Sequence, residues 1–277
     1  MQLDPSPDPN APPRPAAWQP LTFGGVAAFA SARPGRLLLL GFVTTGLFAA
    51  AFVWFLARDY RPIIVQAIQK MPESARLENG KITGVTNVMT SESKLLGIVV
   101  TPATSSEIGQ GADLQIQARQ TDFCVNSIFR PDWGMVFDYD KAWSASLGRS
   151  ALEPWWGAWN PVLLTIAGLS ALVGVFVLWI VMSTLYTAPA RFAAWFMDRD
   201  LSWTGAWRLC FAAMAPGTLL MTLAILLYGL QAIDLLKLSL LWAAHLLTGW
   251  LYIAGAIWST PRLFAPPLKT NPFIKPI

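Results

Sequence analysis

Charge is what this chain lacks over most of its length. Four stretches, Leu37 to Ala57, Pro154 to Ala190, Leu209 to Ile233 and Leu238 to Pro261, contain no Asp, Glu, Lys or Arg. Charged residues make up only 13% of the chain and hydrophobic ones 54%, a mixture suited to lipid rather than water. Histidine is almost missing too: with one in the whole sequence, paired-His zinc motifs and a His-rich metal site are excluded. No Walker A sequence and no dinucleotide-binding glycine pattern occurs, so ATP-driven or NAD-dependent chemistry would need a partner, and no cofactor is expected.

What is present fits the four gaps. A hydrocarbon core about 30 Å thick needs roughly 20 apolar residues in a helix, and each stretch is that long. The sequence therefore predicts four membrane spans. With the N-terminus inside, the cytoplasmic segments carry nine basic residues, among them Arg33, Arg36, Arg191, Arg199, Arg208 and Arg262, against four acids, Asp4, Asp8, Asp198 and Asp200. The other segments carry eleven basic and twelve acidic residues. Short Lys- and Arg-rich loops set orientation, so both termini are expected in the cytoplasm. The pI of about 9.2 reflects this bias and does not point to nucleic acid.

Residues 1–20 hold seven prolines and no compact basic start, which reads as a disordered tail and not a cleavable signal peptide. Leu37 to Phe48 followed by Ala49, Ala50 and Ala51 imitates a cleavage site. The apolar run nevertheless continues through Phe52, Val53, Trp54, Phe55 and Leu56, as in an uncleaved signal anchor. Cys124 falls on the outer side and Cys210 at the cytoplasmic end of the third span, so this threading forbids an intrachain disulfide.

The resulting expectation is an α-helical polytopic membrane protein of four transmembrane helices, with a small α+β extracytoplasmic domain inserted after the first. Its segments are the tail 1–20, an interfacial segment 21–36, span one at 37–57, the outer domain at 58–153 and span two at 158–186. A cytoplasmic interfacial segment at 187–206, spans three and four at 208–232 and 236–260, and a cytoplasmic tail at 261–277 complete the chain. In the outer domain Tyr60, Ile63, Ile64, Ala67, Ile68 and Met71 give one apolar helix face, with Pro62 in its first turn and Pro72 ending it. Asn79 and Gly80 mark a hairpin between Leu77 and Ile82. Strands follow at Leu95 to Thr101, Asp113 to Arg119, Phe123 to Phe129 and Gly134 to Tyr139, forming a mostly antiparallel sheet. A loop around Gly109 and Gly111 is expected to be mobile, with Glu107 to Gly111 a candidate partner contact.

Candidate chemistry is sparse. Ser170 and His245 lie in the outer halves of spans two and four, about 15 and 10 Å deep at 1.5 Å per residue, and intramembrane serine proteases use such a pair. Against that reading, Ser170 with Gly174 is a small-residue packing pair, and a lone His in a bundle satisfies a neighbouring carbonyl. Asp234 and Lys237 suit a salt bridge at the turn between spans three and four, or else a gate. Asp138 and Asp140 read as two carboxylates on one face of a strand, solvated or cation-binding. Pro216 and Gly217 are expected to interrupt and bend span three.

The amphipathic Phe23 to Ala32, the run MPESARLENGKITG at Met71 to Gly84 and RLCFAAMAPGTLL at Arg208 to Leu220 resemble a family of small bacterial multispan proteins of unknown function within the Yip-like membrane-protein superfamily. The resemblance implies a membrane bundle with an extracytoplasmic insert after span one. It carries over no catalytic residues. Relatives often have five spans, which would require a break hidden in Pro154 to Ala190. The functional expectation is a non-enzymatic accessory or scaffold protein of the bacterial inner membrane. Its partners are the lipid bilayer, a membrane or envelope protein bound by the outer domain, and a further copy of itself in a homo-oligomer. A transport-associated or channel-like subunit is the alternative, and an intramembrane hydrolase the third.

Overall fold

The computed structural model describes residues 19–102 and 111–262. The expectations for most of 1–20, for 263–277 and for all but Gly111 of the candidate contact at 107–111 lie outside the described residues.

A short helix α1 (Phe23–Ala28) starts at Thr22, whose Oγ1 accepts the Gly25 N–H at 3.1 Å. Among the described residues four helices are long and apolar enough to cross a membrane: Pro34–Lys70, Arg149–Phe196, Trp203–Gly229 and Leu235–Ser259. The first is composite, with α2 (Pro34–Phe55), a wide π-helical turn at Leu56–Tyr60 and α3 (Arg61–Lys70), which has a proline in its first turn. The second, α4 (Arg149–Phe196), runs 48 residues without interruption. The break that a fifth segment would need is therefore absent, and 187–196 continues α4 where a separate interfacial segment was expected. Pro189 and Arg191 lie inside α4 without ending it, and the chain turns only past Phe196, where Asp198 takes a positive φ of 53°. Helices α5 (Trp203–Gly229) and α6 (Leu235–Ser259) follow. Pro216 lies inside α5 and does not interrupt it, contrary to expectation: the helix on both sides carries enough hydrogen bonds to survive one missing donor.

The described residues divide into two compact units. One comprises the described parts of 1–48, 172–223 and 239–277. Its core contains Val26, Phe29, Leu37, Trp179, Leu209, Phe211, Ile253 and Ile257, together with a run of fully buried small residues, Ala206, Ala212, Ala213 and Ala215. Small side chains let helix backbones approach closely, which is how helices gain packing energy where lipid supplies no hydrophobic drive. Gly217 shows the same need: a Cβ there would lie 2.7 Å from the His245 carbonyl oxygen. One buried polar tie joins α4 to α5, with Trp179 Nε1 donating to Thr218 Oγ1 at 3.0 Å.

The second unit comprises the described parts of 49–171 and 224–238. It holds two sheets. Strands β1 (Arg76–Glu78) and β2 (Lys81–Thr83) form the expected hairpin, with Leu77 opposite Ile82 and Asn79 and Gly80 at φ 51° and 71°. β8 (Ala145–Ser146) pairs with β1 on its other side. The larger sheet has the order β3-β4-β5-β6-β7, from β3 (Met89–Glu92), β4 (Leu96–Val100), β5 (Leu114–Ala118), β6 (Asp122–Ser127) and β7 (Arg130–Asp138). All of its pairs are antiparallel except β4 with β5.

Leu114, Ile116 and Ala118 share a face, but the more deeply buried positions of β5 are Gln115 and Gln117, which share the opposite face with Val99 and Cys124. Cys124 and Cys210 are both free and buried. Helix α3 packs on β3 and β4.

Glu73 ties the start of α4 to this unit. Ser150 donates to it from Oγ at 2.6 Å and from its backbone N–H at 3.2 Å, so the carboxylate caps the helix. These hydrogen bonds hold its pKa below the ordinary 4.5, the Ser150 hydroxyl contributing most. A lowered folded pKa gives stability that is complete above 4.5 and is lost as pH falls through the lowered value. Glu73→Gln should therefore melt below wild type at neutral pH, and the gap should close in acid. A pH series of thermal melts checks this.

Candidate functional site: an open sheet edge

Among the described residues strand β7 is the edge of the larger sheet and pairs only with β6. The alternation of its backbone is fixed by one bond: Tyr139 N–H donates to Thr121 O at 3.1 Å. Thr121 stands opposite Tyr139 in the same register that pairs Phe123 with Phe137 and Val125 with Met135. The N–H and C=O groups of these residues therefore face β6, and those of Val136 and Asp138 face outward. The edge is also apolar, with Met135, Val136 and Phe137 exposed by 62%, 53% and 46%, and Ile128 and Phe129 exposed at the turn before it. Long apolar edges are templates for another strand, and proteins that do not use them blunt them.

The opposite edge is blunted. In β3 the outward carbonyl of Thr90 accepts from Lys70 Nζ at 2.5 Å, and α3 packs along the strand. The difference between a covered β3 and an open β7 makes β7 the candidate site.

Behind the sheet an apolar cavity of about 350 Å³ lies between α3 and the strands, lined by Ile64, Ile68, Met71, Ile98, Val100 and Phe123 among others. Phe137 of the open edge stacks on Phe123 with ring centroids 4.8 Å apart, so the edge and the cavity wall are in direct contact. Tyr139 lines the cavity as well, and its hydroxyl is pushed up to about 12, first by burial and then by the nearby Asp122. A second cavity, about 270 Å³, is lined by Phe52, Phe55, Tyr60, Leu114 and Ile225, and there Tyr228 Oη donates to Asp113 Oδ2 at 2.8 Å.

The residues singled out from sequence are not gathered at one place. Ser170 is exposed on α4. His245 turns Nδ1 to the Trp242 carbonyl of its own helix, which is the carbonyl-satisfying arrangement. Asp234 and Lys237 do pair, at 3.3 Å, and Asp234 Oδ1 also accepts the Lys237 N–H at 2.8 Å, which makes it the N-cap of α6. These bonds, the one from the Lys237 N–H first, lower the Asp234 pKa.

Asp138 and Asp140 do not share a strand face. Asp138 ends β7, and Asp140 lies beyond it, accepting the Ala142 N–H at 2.9 Å in an Asx turn. Among the described residues no group of three or more His, Cys, Asp or Glu could hold a metal. Sequence reasoning missed the Tyr228 to Asp113 bond, because nothing local links residues 115 positions apart. It also missed the open edge, because pairing order is a long-range property.

These elements define a class: among the described residues, a protein of four long apolar helices and a small α+β unit whose larger sheet ends in the apolar strand β7. Comparison with protein-family models, curated proteins and solved structures finds no match.

Proposed function

We propose that this chain is a multi-pass membrane protein without enzymatic activity, whose α+β unit lies outside the cytoplasm and binds a protein partner that adds a strand to β7. Membrane insertion is supported by α4, whose most apolar window is only 6% buried. Val162, Leu163, Ile166, Leu169, Val173 and Val177 are exposed along it. A helix apolar all round and unburied by its own chain belongs in lipid. Orientation follows from the basic residues of the short inner segments.

The observation that carries the binding proposal is the free edge of β7. Strand addition draws its affinity from main-chain hydrogen bonds and its specificity from alternate side chains, and β7 offers outward groups at Val136 and Asp138 with exposed apolar side chains beside them. A photo-crosslinking amino acid at position 136 in cells should give a protein adduct, and the same residue at position 90 on the covered edge should not. Equal adducts at both positions, or none at 136, would refute the assignment. Val136→Pro should abolish the adduct formed from a probe at Met135 by removing one outward N–H, while the β6–β7 hairpin, which does not use that group, stays folded.

A further inference from the structure

We infer that Arg191 is the seat of a phospholipid phosphate in the leaflet facing the cytoplasm, an inference that rests on the membrane reading above. Near the end of α4, Ala188, Arg191, Phe192, Trp195 and Trp203 line a recess of about 470 Å³. Arg191 Nε and Nη1 are enclosed by the protein and have no hydrogen-bond partner. Among the described residues it forms no salt bridge, although Asp198 and Asp200 are only a few positions along the chain.

A guanidinium cannot lose its proton, so one that is half-buried with two of its nitrogens unpaired is costly and favours an anion at the nitrogen it leaves open, Nη2. Two neighbouring arginines are partly tied down, although Arg199 Nε is also buried without a partner. Arg199 Nη1 donates to Thr260 O at 2.7 Å and its guanidinium lies over the Trp258 ring, while Arg208 Nη1 donates to Ala32 O at 3.1 Å.

The surroundings select the kind of anion. Phe192, Trp195 and Trp203 are exposed by 65%, 61% and 62%, and they form an aromatic rim around the cation. A soluble phosphate gains nothing from such a rim, whereas a phospholipid places its phosphate on the arginine and its glycerol and upper acyl chains against the rings. Tryptophan belts sit at this depth for the same reason. Basic recesses on the cytoplasmic side of membrane bundles favour anionic head groups, so phosphatidylglycerol should bind in preference to phosphatidylcholine.

The test uses the full chain purified in an uncharged detergent, with retained lipid counted by native mass spectrometry and Trp195 and Trp203 fluorescence quenched by brominated phosphatidylglycerol. Wild type should retain phosphatidylglycerol, and Arg191→Gln should bind it about tenfold more weakly, the loss of a charge-assisted hydrogen bond. Arg191→Lys should fall between them. Melting temperatures without lipid confirm that the variants fold, and the preference of wild type for phosphatidylglycerol over phosphatidylcholine needs no variant at all.

Equal retention by wild type and Arg191→Gln, or no preference between the two lipids, would overturn the inference. Protection by inorganic phosphate alone, as strong as by lipid, would overturn its lipid part. Alkaline extraction of native membranes separates the two levels. Release of the protein contradicts membrane insertion itself, and retention without lipid dependence contradicts only the Arg191 site.

Discussion

Phe211→Ala is expected to destabilise the helical unit by about 3–5 kcal/mol, the usual cost of emptying a buried phenylalanine site. Phe211 is 2% exposed and stands at the centre of an aromatic group, with ring centroids 5.3 Å from Trp179, 5.4 Å from Trp207 and 5.9 Å from Phe176. Its ring also fills the space beside Gly41, where a Cβ would come within 3.0 Å of it. The small residues Ala212, Ala213 and Ala215 next to it have no longer side chains with which to refill the gap. The cavity would thus stay open, which places the cost at the upper part of the range. Reversible unfolding in mixed micelles, monitored by tryptophan fluorescence, measures the loss. Phe42→Ala offers the control: Phe42 is 52% exposed, so its truncation should cost far less.

Gly84→Ala is expected to be the most damaging small change in the α+β unit. Gly84 has φ of 75°, where a side chain is strained, and its Cβ would lie 2.5 Å from the Ser74 carbonyl carbon and 3.0 Å from the Ala75 nitrogen. The strained backbone alone costs about 1–3 kcal/mol, and the clash is with main chain, which cannot rotate away. Relieving it would also stretch the hydrogen bond from Ser74 Oγ to Gly84 O, now 2.8 Å. Because Ala75, Leu77, Ile82 and Val85 form the local core, the shift would loosen the β1–β2 hairpin as a whole. Hydrogen exchange of residues 76–83 should rise in the variant. Asn79→Gly, at φ of 51° in the same hairpin, should leave exchange nearly unchanged.

Much of this architecture can be read from the sequence, for identifiable reasons. The charge-free stretches locate all four long helices because length and composition alone decide that property. The Asn79–Gly80 hairpin and the α3 face are also local signals, written in turn chemistry and in a helical repeat of apolar residues. Pairing order is not local. That β4 lies parallel to β5, that β3 is covered by Lys70 and that β7 is left open depend on contacts between distant segments.

Two expectations failed because a local rule was overridden. Pro216 predicts a break, yet α5 continues through it on the strength of its neighbours' bonds. Asp138 and Asp140 look like strand neighbours two positions apart, yet β7 stops at Asp138 because Asp140 prefers to bond its own backbone. Arg191 was visible only as a positive charge. Its lack of a partner is a three-dimensional fact, and no spacing rule signals it.

The central claim is the threading, with the α+β unit outside and the loop between α4 and α5 inside, and thiol accessibility in intact cells tests it most directly. Cys124 and Cys210 are buried and make poor reporters, so both are replaced by serine, and single cysteines are placed at the exposed Ser144 and Thr204. A membrane-impermeant maleimide should label position 144 in intact cells and position 204 only after permeabilisation. Labelling at 204 with protection at 144 would put the β7 edge in the cytoplasm, and labelling of both in intact cells would contradict a membrane between them.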